Sequence, residues 1–252
     1  MIEVNNVSKT YDGQTVLNGV SVTIARGGVT SIIGPNGAGK STLLSIISRL
    51  LTPDSGSVRV NGMDVASTPG DKLATCLSVL RQENQFTSRL TVTDLVGFGR
   101  YPYSKGRLNE DDRRRINDAL AFLDLTGLKD RFLDELSGGQ RQRACVAMVL
   151  CQDTDYVLLD EPLNNLDMKH AVAMMKQIRR AADELNKTIV IVIHDINFAS
   201  AWSDHIIAMR DGEIIYSGAP QEIMVAGVLE DIFDTAVTIE RVRDRHIAVY
   251  YR

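Results

Sequence analysis

The sequence predicts an α/β fold in which two strand-rich stretches flank a helical insertion. Three observations carry that prediction. A glycine-rich loop in "IIGPNGAGKSTLL" joins an apolar run at residues 29–33 to the start of an amphipathic segment at 41–50, which reads as strand, loop, helix. Two later runs, "YVLLDEP" and "TIVIVIHD", are continuously apolar and end in acids, as buried parallel strands do. Between these features, residues from about 90 to 150 lose strand alternation and take on helical spacing.

Each element has its own local reason. Val20, Val22 and Ile24 alternate, as do Val58 and Val60 after the turn "PDSG", which is the pattern of half-buried strands. Residues 77–80 form another short apolar run. Thr91 with Asp94 forms a capping box ahead of "LVGFGR". Asn109 caps the helix of "NEDDRRRINDALAFLDL", whose acids lie in the first turn where the helix dipole favours them. Ile116, Ala119, Leu120 and Leu123 give that helix its apolar face. Ser137 is a good N-cap for a helix over 140–150. The helix between the two apolar strands carries Val172, Met175, Ile178, Ala182 and Leu185 as its buried stripe. Asp211-Gly212 sits between two short strands and marks a hairpin. The tail from Pro220 reads as one helix, "QEIMVAGVLEDIF", followed by one alternating strand, "IERVRDRHIAVYY".

Composition narrows the function classes. The chain has 252 residues, 44% apolar and 24% charged, ordinary for a globular protein, and its net charge of −4 exerts no general pull on nucleic acid or anionic lipid. Cys76, Cys145 and Cys151 sit in apolar stretches without metal-ligand spacing, and read as buried thiols of a reducing compartment. The N-terminus lacks the basic-then-apolar pattern of a secretory signal. No apolar run approaches the roughly twenty residues of a membrane span. The expectation is a cytosolic chain, or one held at a membrane only by partners.

Gly34, Gly39, Lys40 and Ser41 satisfy G-x-x-x-x-G-K-[ST], with the flanking strand and helix in register. Gly34, Gly37 and Gly39 let successive N–H groups turn inward as an anion nest, at the positive end of the next helix. Lys40 is placed to reach terminal phosphates, and the Ser41 hydroxyl to ligate Mg²⁺. Asp160 and Glu161 close an apolar strand. Alone, such a pair reads as a solvated loop; beside a phosphate loop, one acid holds Mg²⁺ through water and the other positions or deprotonates an attacking water. Gly138 and Gly139 after Ser137 expose N–H groups at a second helix start, so the chain offers two anion-binding helix ends.

In this order the motifs resemble the ATP-binding subunit of ATP-binding cassette (ABC) transporters over nearly the whole chain: the loop from Gly34 to Thr42 (with Pro35, Asn36 and Ala38), "LSGGQ" at 136–140, "YVLLDEP" and His194 in "IVIHD". The resemblance implies a P-loop ABC-ATPase fold with a RecA-like core, an N-terminal antiparallel β subdomain and an inserted helical subdomain at about 90–150. It implies one nucleotide-binding domain over 1–252, with a C-terminal tail at about 220–252. It makes Tyr11 the adenine-stacking aromatic, Glu161 the catalytic base, His194 the switch histidine at the γ-phosphate, and Asp167 the residue joining two subunits. Gln82 becomes the loop glutamine that touches Mg²⁺, although the nearby Gln85 leaves that register open. Ser137, Gly138, Gly139 and Gln140 are to act on the ATP of the other copy, so two copies complete two sites. The chain departs from the family at Leu163 and Asn164, neither of which carries phosphate chemistry.

The implied cofactors are ATP and Mg²⁺. The implied partners are a second copy, two membrane permease subunits and, indirectly, a periplasmic or surface substrate-binding protein, with no nucleic acid. The implied location is peripheral, on the cytoplasmic face of the inner membrane. Glu161 and His194 are both in place, which speaks against a non-hydrolysing regulator, and no tandem cassette or coiled-coil insertion suggests a DNA or ribosome ATPase. "LVGFGRYPYSKGRL", "EPLNNLDMKH" and "IAVYY" resemble ferric-siderophore uptake ATPases, of the catecholate kind; the alternatives are a haem or cobalamin importer ATPase, or a non-transport ABC ATPase. Tyr101, Tyr103 and Arg107 supply residue types suited to anchoring the permease contact.

Overall fold

The computed structural model describes residues 1–82, 88–243 and 245–251. In chain order its first elements are β1 (Ile2–Tyr11), β2 (Gln14–Ile24), β3 (Gly28–Ile33), α1 (Lys40–Ile47), β4 (Ser55–Val60) and β5 (Met63–Asp64). There follow α2 (Gly70–Ala74), β6 (Leu77–Leu80), α3 (Val92–Phe98), α4 (Tyr101–Ser104), α5 (Glu110–Phe122), α6 (Gly138–Cys151), β7 (Tyr156–Asp160) and α7 (Met168–Glu184). The last are β8 (Thr188–Val192), α8 (Ile196–Trp202), β9 (His205–Arg210), β10 (Glu213–Gly218), α9 (Pro220–Ile223), α10 (Ala226–Phe233), β11 (Thr238–Val242) and β12 (Arg245–Val249). They form two compact units, Met1–Thr68 with Thr188–Arg252, and Pro69–Lys187. Among the described residues no helix is long and apolar enough to cross a membrane.

In the first unit, β1 turns into β2 at Asp12 (φ 48°) and Gly13 (φ 82°), so that Tyr11 faces Gln14. With β4 and β5 these strands make an antiparallel sheet in the order β2-β1-β4-β5. The unit's other strands centre on β3, which runs parallel to both β8 and β9. β3 from Val29 onward and all of β8 are buried, which is why both read as unbroken apolar runs rather than alternating ones. β10 returns antiparallel on β9 through Asp211 (φ 50°) and Gly212 (φ 81°), as the Asp-Gly pair predicts. In the second unit, β6 and β7 pair in parallel, with Leu77 beside Tyr156 and Leu80 beside Leu159. Thr91 forms the expected capping box with Asp94, and Asn109 caps α5 as expected, in a box that it completes with Asp112. The helical part has an apolar core that includes Leu95, Val96, Ile116, Leu120, Ala144 and Ala147, all nearly or fully buried.

Five expectations are corrected. α1 ends at Ile47 rather than residue 50, because Arg49 adopts φ 60° and breaks the helical path. On α7 the buried stripe is Ala171, Met174, Met175, Ile178, Ala181 and Ala182; Val172 is only half-buried, and Leu185, beyond the last helical residue, is 42% exposed. The tail helix is two helices, α9 and α10, separated at Met224 and Val225. The single last strand is a hairpin, with Val242 facing Arg245 across a turn that begins at Arg243 (φ 56°). Cys145 and Cys151 are buried as expected, and desolvation pushes their thiols up to about 11 and about 12, leaving them unreactive at neutral pH; Cys76 is only half-buried.

Candidate functional site

The phosphate loop leaves β3 at Ile33 and enters α1 at Lys40. Gly34 has φ 142°, and a Cβ there would lie 2.0 Å from the carbonyl oxygen of Met209. Gly39 has φ 94°, and its Cβ would lie 2.6 Å from Leu17 Cδ2 and 2.7 Å from Val16 O. The loop's own packing therefore requires both glycines. Gly39 is also the N-cap of α1 and supplies no side-chain cap, and a helix start of this kind suits an anion. Lys40 is buried, and its Nζ donates to the carbonyls of Gly34 (2.9 Å) and Pro35 (2.8 Å), which holds the ammonium over the loop. Asn36 and Gly37 are exposed, Pro35, Ser41 and Thr42 half-buried, and Ala38 buried.

His194 follows β8 in the same unit and is exposed. The segment is fixed on both sides: Ile193 N–H donates to Ile32 O at 3.2 Å, and Asp195 caps α8 by accepting from Asn197 N (2.8 Å) and Phe198 N (3.1 Å). Tyr11 ends β1 with 44% of its surface exposed, and the Lys9 ammonium stands 5.6 Å from its ring centroid.

The remaining expected residues lie in the second unit. Asp160 is the last residue of β7 and is buried. Glu161 follows at φ 50°, a left-handed conformation that costs a β-carbon residue on the order of 1 kcal/mol and recurs where a side chain must be aimed. Its Oε2 accepts from Gln82 Nε2 at 2.7 Å and also from Asn164 Nδ2. Asn164, set aside in the sequence reading, therefore touches the expected base. No periodicity marks an amide three residues beyond an acid across a turn, so the sequence carried no signal for this contact. Gln85 lies outside the described residues.

Ser137 and Gln140 cap α6 reciprocally: Ser137 Oγ accepts from Gln140 N at 3.3 Å, and Gln140 Oε1 from Ser137 N at 3.0 Å. The two glycines between them differ. A Cβ on Gly139 would lie 2.9 Å from the His170 ring, whereas no atom of the described residues lies within 4 Å of one on Gly138. The chain's own packing explains Gly139 and leaves Gly138 open to an external group. Asp167 caps α7, accepting from His170 N (2.8 Å) and lying 2.7 Å from His170 Nδ1. The His170 N–H holds the Asp167 carboxyl below the usual range, against the opposing effect of desolvation. These contacts lead to one expected result. Gly139→Ala destabilises the chain measurably in thermal unfolding, while Gly138→Ala leaves the midpoint unchanged and lowers ATP turnover.

The donors suit a hard cation. The Ser41 hydroxyl, the Asp160 carboxylate and the Gln82 amide oxygen are the ligand types Mg²⁺ takes when most of its shell is water and phosphate. Among the described residues no cluster of three or more His, Cys, Asp or Glu forms a self-sufficient metal cage.

The sequence model of the ABC transporter family matches residues 17–164, from before the phosphate loop to just past Glu161. The chain belongs to the ABC transporter family. This cassette is 55% identical over 251 residues to the petrobactin import ATP-binding protein YclP of Bacillus subtilis (strain 168), covering 100% of both chains. It is 54% identical to the petrobactin import ATP-binding protein FatE of Bacillus anthracis, covering 99% of this chain and 100% of that one. Its fold matches that of an ATP-binding cassette solved as a post-hydrolysis dimer with ADP and phosphate, with a TM-score of 0.78, 30% identity, and coverage of 87% of this chain and 99% of the other. The fold is therefore the P-loop ABC-ATPase fold, and the protein is a nucleotide-binding ABC ATPase.

Proposed function

We propose that this ABC ATPase hydrolyses MgATP to drive import of a ferric siderophore through separate permease subunits. The observation that carries the reading is the contrast at the start of α6: Gly138 faces space that no described residue fills, beside N–H groups at a helix start, while another helix start, preceded by Gly39, lies at Lys40. Two anion-binding ends on one chain suit ATP shared between two copies related by a two-fold axis. The names of YclP and FatE, which match at full length, supply the cargo class.

In this reading Tyr11 stacks on adenine, and the loop from Gly34 to Thr42 binds the phosphates through N–H groups. Lys40 leaves its two carbonyl acceptors for a charge-assisted contact with the terminal phosphates. Ser41, Asp160 and Gln82 would hold Mg²⁺, which would supply neutralisation of charge on the phosphate oxygens. Glu161 accepts the proton of the attacking water, and its two amide donors, Gln82 and Asn164, orient the carboxylate beforehand. His194 bonds the γ-phosphate. Ser137, Gly138, Gly139 and Gln140 close on the ATP of the second copy, and Asp167 lies at the join between the copies.

The whole chain serves as one nucleotide-binding domain, with a helical subdomain at about 90–150 and a tail at about 220–252. The helical subdomain carries the permease contact. Phe98 and Tyr101, 50% and 59% exposed, are its aromatic anchors. The chain then works peripherally on the cytoplasmic face of the inner membrane, and the substrate-binding protein reaches it only through the permease. The test is uptake of radiolabelled ferric petrobactin by cells whose copy of the gene is deleted. Uptake is expected to fall to background and to return with the native chain. Normal petrobactin uptake with loss of haem or cobalamin uptake would reassign the cargo.

A further inference from the structure

We propose that the C-terminal hairpin β11–β12 positions His194, and that Asn197 is the residue through which it acts; the proposal rests on His194 serving ATP turnover as described above. Asn197 stands three residues beyond His194, in the first turn of α8. Its side-chain amide pairs with the backbone of one hairpin residue in both directions: Asn197 Nδ2 donates to Ala248 O at 3.1 Å, and Ala248 N donates to Asn197 Oδ1 at 2.8 Å. Ala248 lies opposite Ile239. In an antiparallel pair, alternate residues turn both backbone groups away from the partner strand, and Ala248 is such a residue, so the amide of Asn197 takes the place of a further strand. A second contact holds the other end of the helix, where Arg245 Nη1 donates to Ala201 O at 2.6 Å. The hairpin thus grips α8 at both ends.

Packing ties the same parts together. Ala248, 2% exposed, shares an apolar cluster with Ile196 and Ala199 of α8, Leu229 and Ile232 of α10, and Val237. His194 itself borders a cavity of about 290 Å³ whose other walls include Phe233, Thr235 and Tyr250. Where the His194 side chain stands depends on where the backbone on either side of it is held. On one side that backbone is tied by Ile193 to Ile32, at the end of the strand that leads into the phosphate loop. On the other it is tied by Asn197 to the hairpin. The tail is then a brace on the histidine segment, and Asn197 is a positioning residue that need not touch nucleotide.

The test uses the purified full-length chain. Asn197→Ala is expected to lower kcat about tenfold while leaving KM for ATP nearly unchanged in a chain that stays folded at the assay temperature, since small misplacements of a catalytic group act mainly on turnover. Asn197→Asp keeps the acceptor for Ala248 N–H and is expected to recover part of the loss. In a His194→Ala background, Asn197→Ala is expected to cost nothing further, because a residue acting through the histidine has nothing left to position. Ala248→Pro removes one of the two bonds from the hairpin side, at a strand edge that tolerates proline, and is expected to reproduce the fall in kcat. Wild-type turnover in Asn197→Ala, or an equal fall with and without His194, would overturn the proposal alone. Unfolding of both Asn197→Ala and Ala248→Pro would reduce the contact to a stability element and overturn it as well. If His194→Ala itself leaves turnover intact, the role of the histidine falls, and the proposal with it.

Discussion

Glu161→Gln is expected to bind ATP as tightly as the native chain and to hydrolyse it at least about 100-fold more slowly, the usual cost of losing a positioned general base. The amide keeps the shape and the left-handed backbone of Glu161 but cannot accept a proton. It can also keep the local pairing: Gln82 and Asn164 both donate to the single oxygen Oε2 of Glu161, and a glutamine carbonyl oxygen has two lone pairs to accept them. Single-turnover hydrolysis beside an ATP-binding titration separates the two effects. Equal losses of binding and turnover would mean that Glu161 supports the fold of the site and not its chemistry.

Asp112→Ala is expected to lower stability by about 3–5 kcal/mol. Arg100 and Asp112 are 4% and 2% exposed and meet at 3.0 Å, so removing the acid strands a buried guanidinium. The aspartate also accepts from Asn109 N at 3.1 Å, within the cap of α5, and Arg100 donates to Cys151 O at 3.0 Å. Burial pushes the Asp112 carboxyl up, but the Asn109 N–H and the Arg100 guanidinium outweigh it and hold the carboxyl below the usual range. A depressed carboxylate stabilises the fold fully above its unfolded value, about 3.9, and loses that contribution only as pH falls through its folded value. The native chain should therefore show no loss from this pair between pH 5 and 8. Thermal unfolding checks the substitution, with a fall on the order of 10 °C. An Arg100→Met, Asp112→Leu double variant should cost less than the sum of the single variants.

The parts of the fold and site that were legible in the sequence are those with a local physical cause. The phosphate loop needs glycine where a Cβ would collide with Met209, Leu17 or Val16, so the motif and the geometry coincide. The capping boxes at Thr91 and Asn109 place their own partners three residues on. The Asp211-Gly212 turn announces itself by residue type. The misses share the opposite property. Arg49 ends α1 and Arg243 opens the last turn with positive φ, though neither residue type signals it. Met224 and Val225 break the tail helix with no glycine or proline at the break. The contacts of Asn164 and Asn197 leave no mark in the sequence because their partners are set by how turns and strands fold back, which spacing along the chain does not encode.

The central claim is that ATP is held between two copies of this chain and is hydrolysed there. Light scattering of purified Glu161→Gln, with and without ATP and Mg²⁺, tests it most directly. The account predicts monomer without nucleotide and a dimer of twice the mass when ATP is saturating, with the dimer abolished by Gly138→Asp, which places a bulky anion at the open helix start. A chain that binds ATP to saturation and remains monomeric would contradict the account.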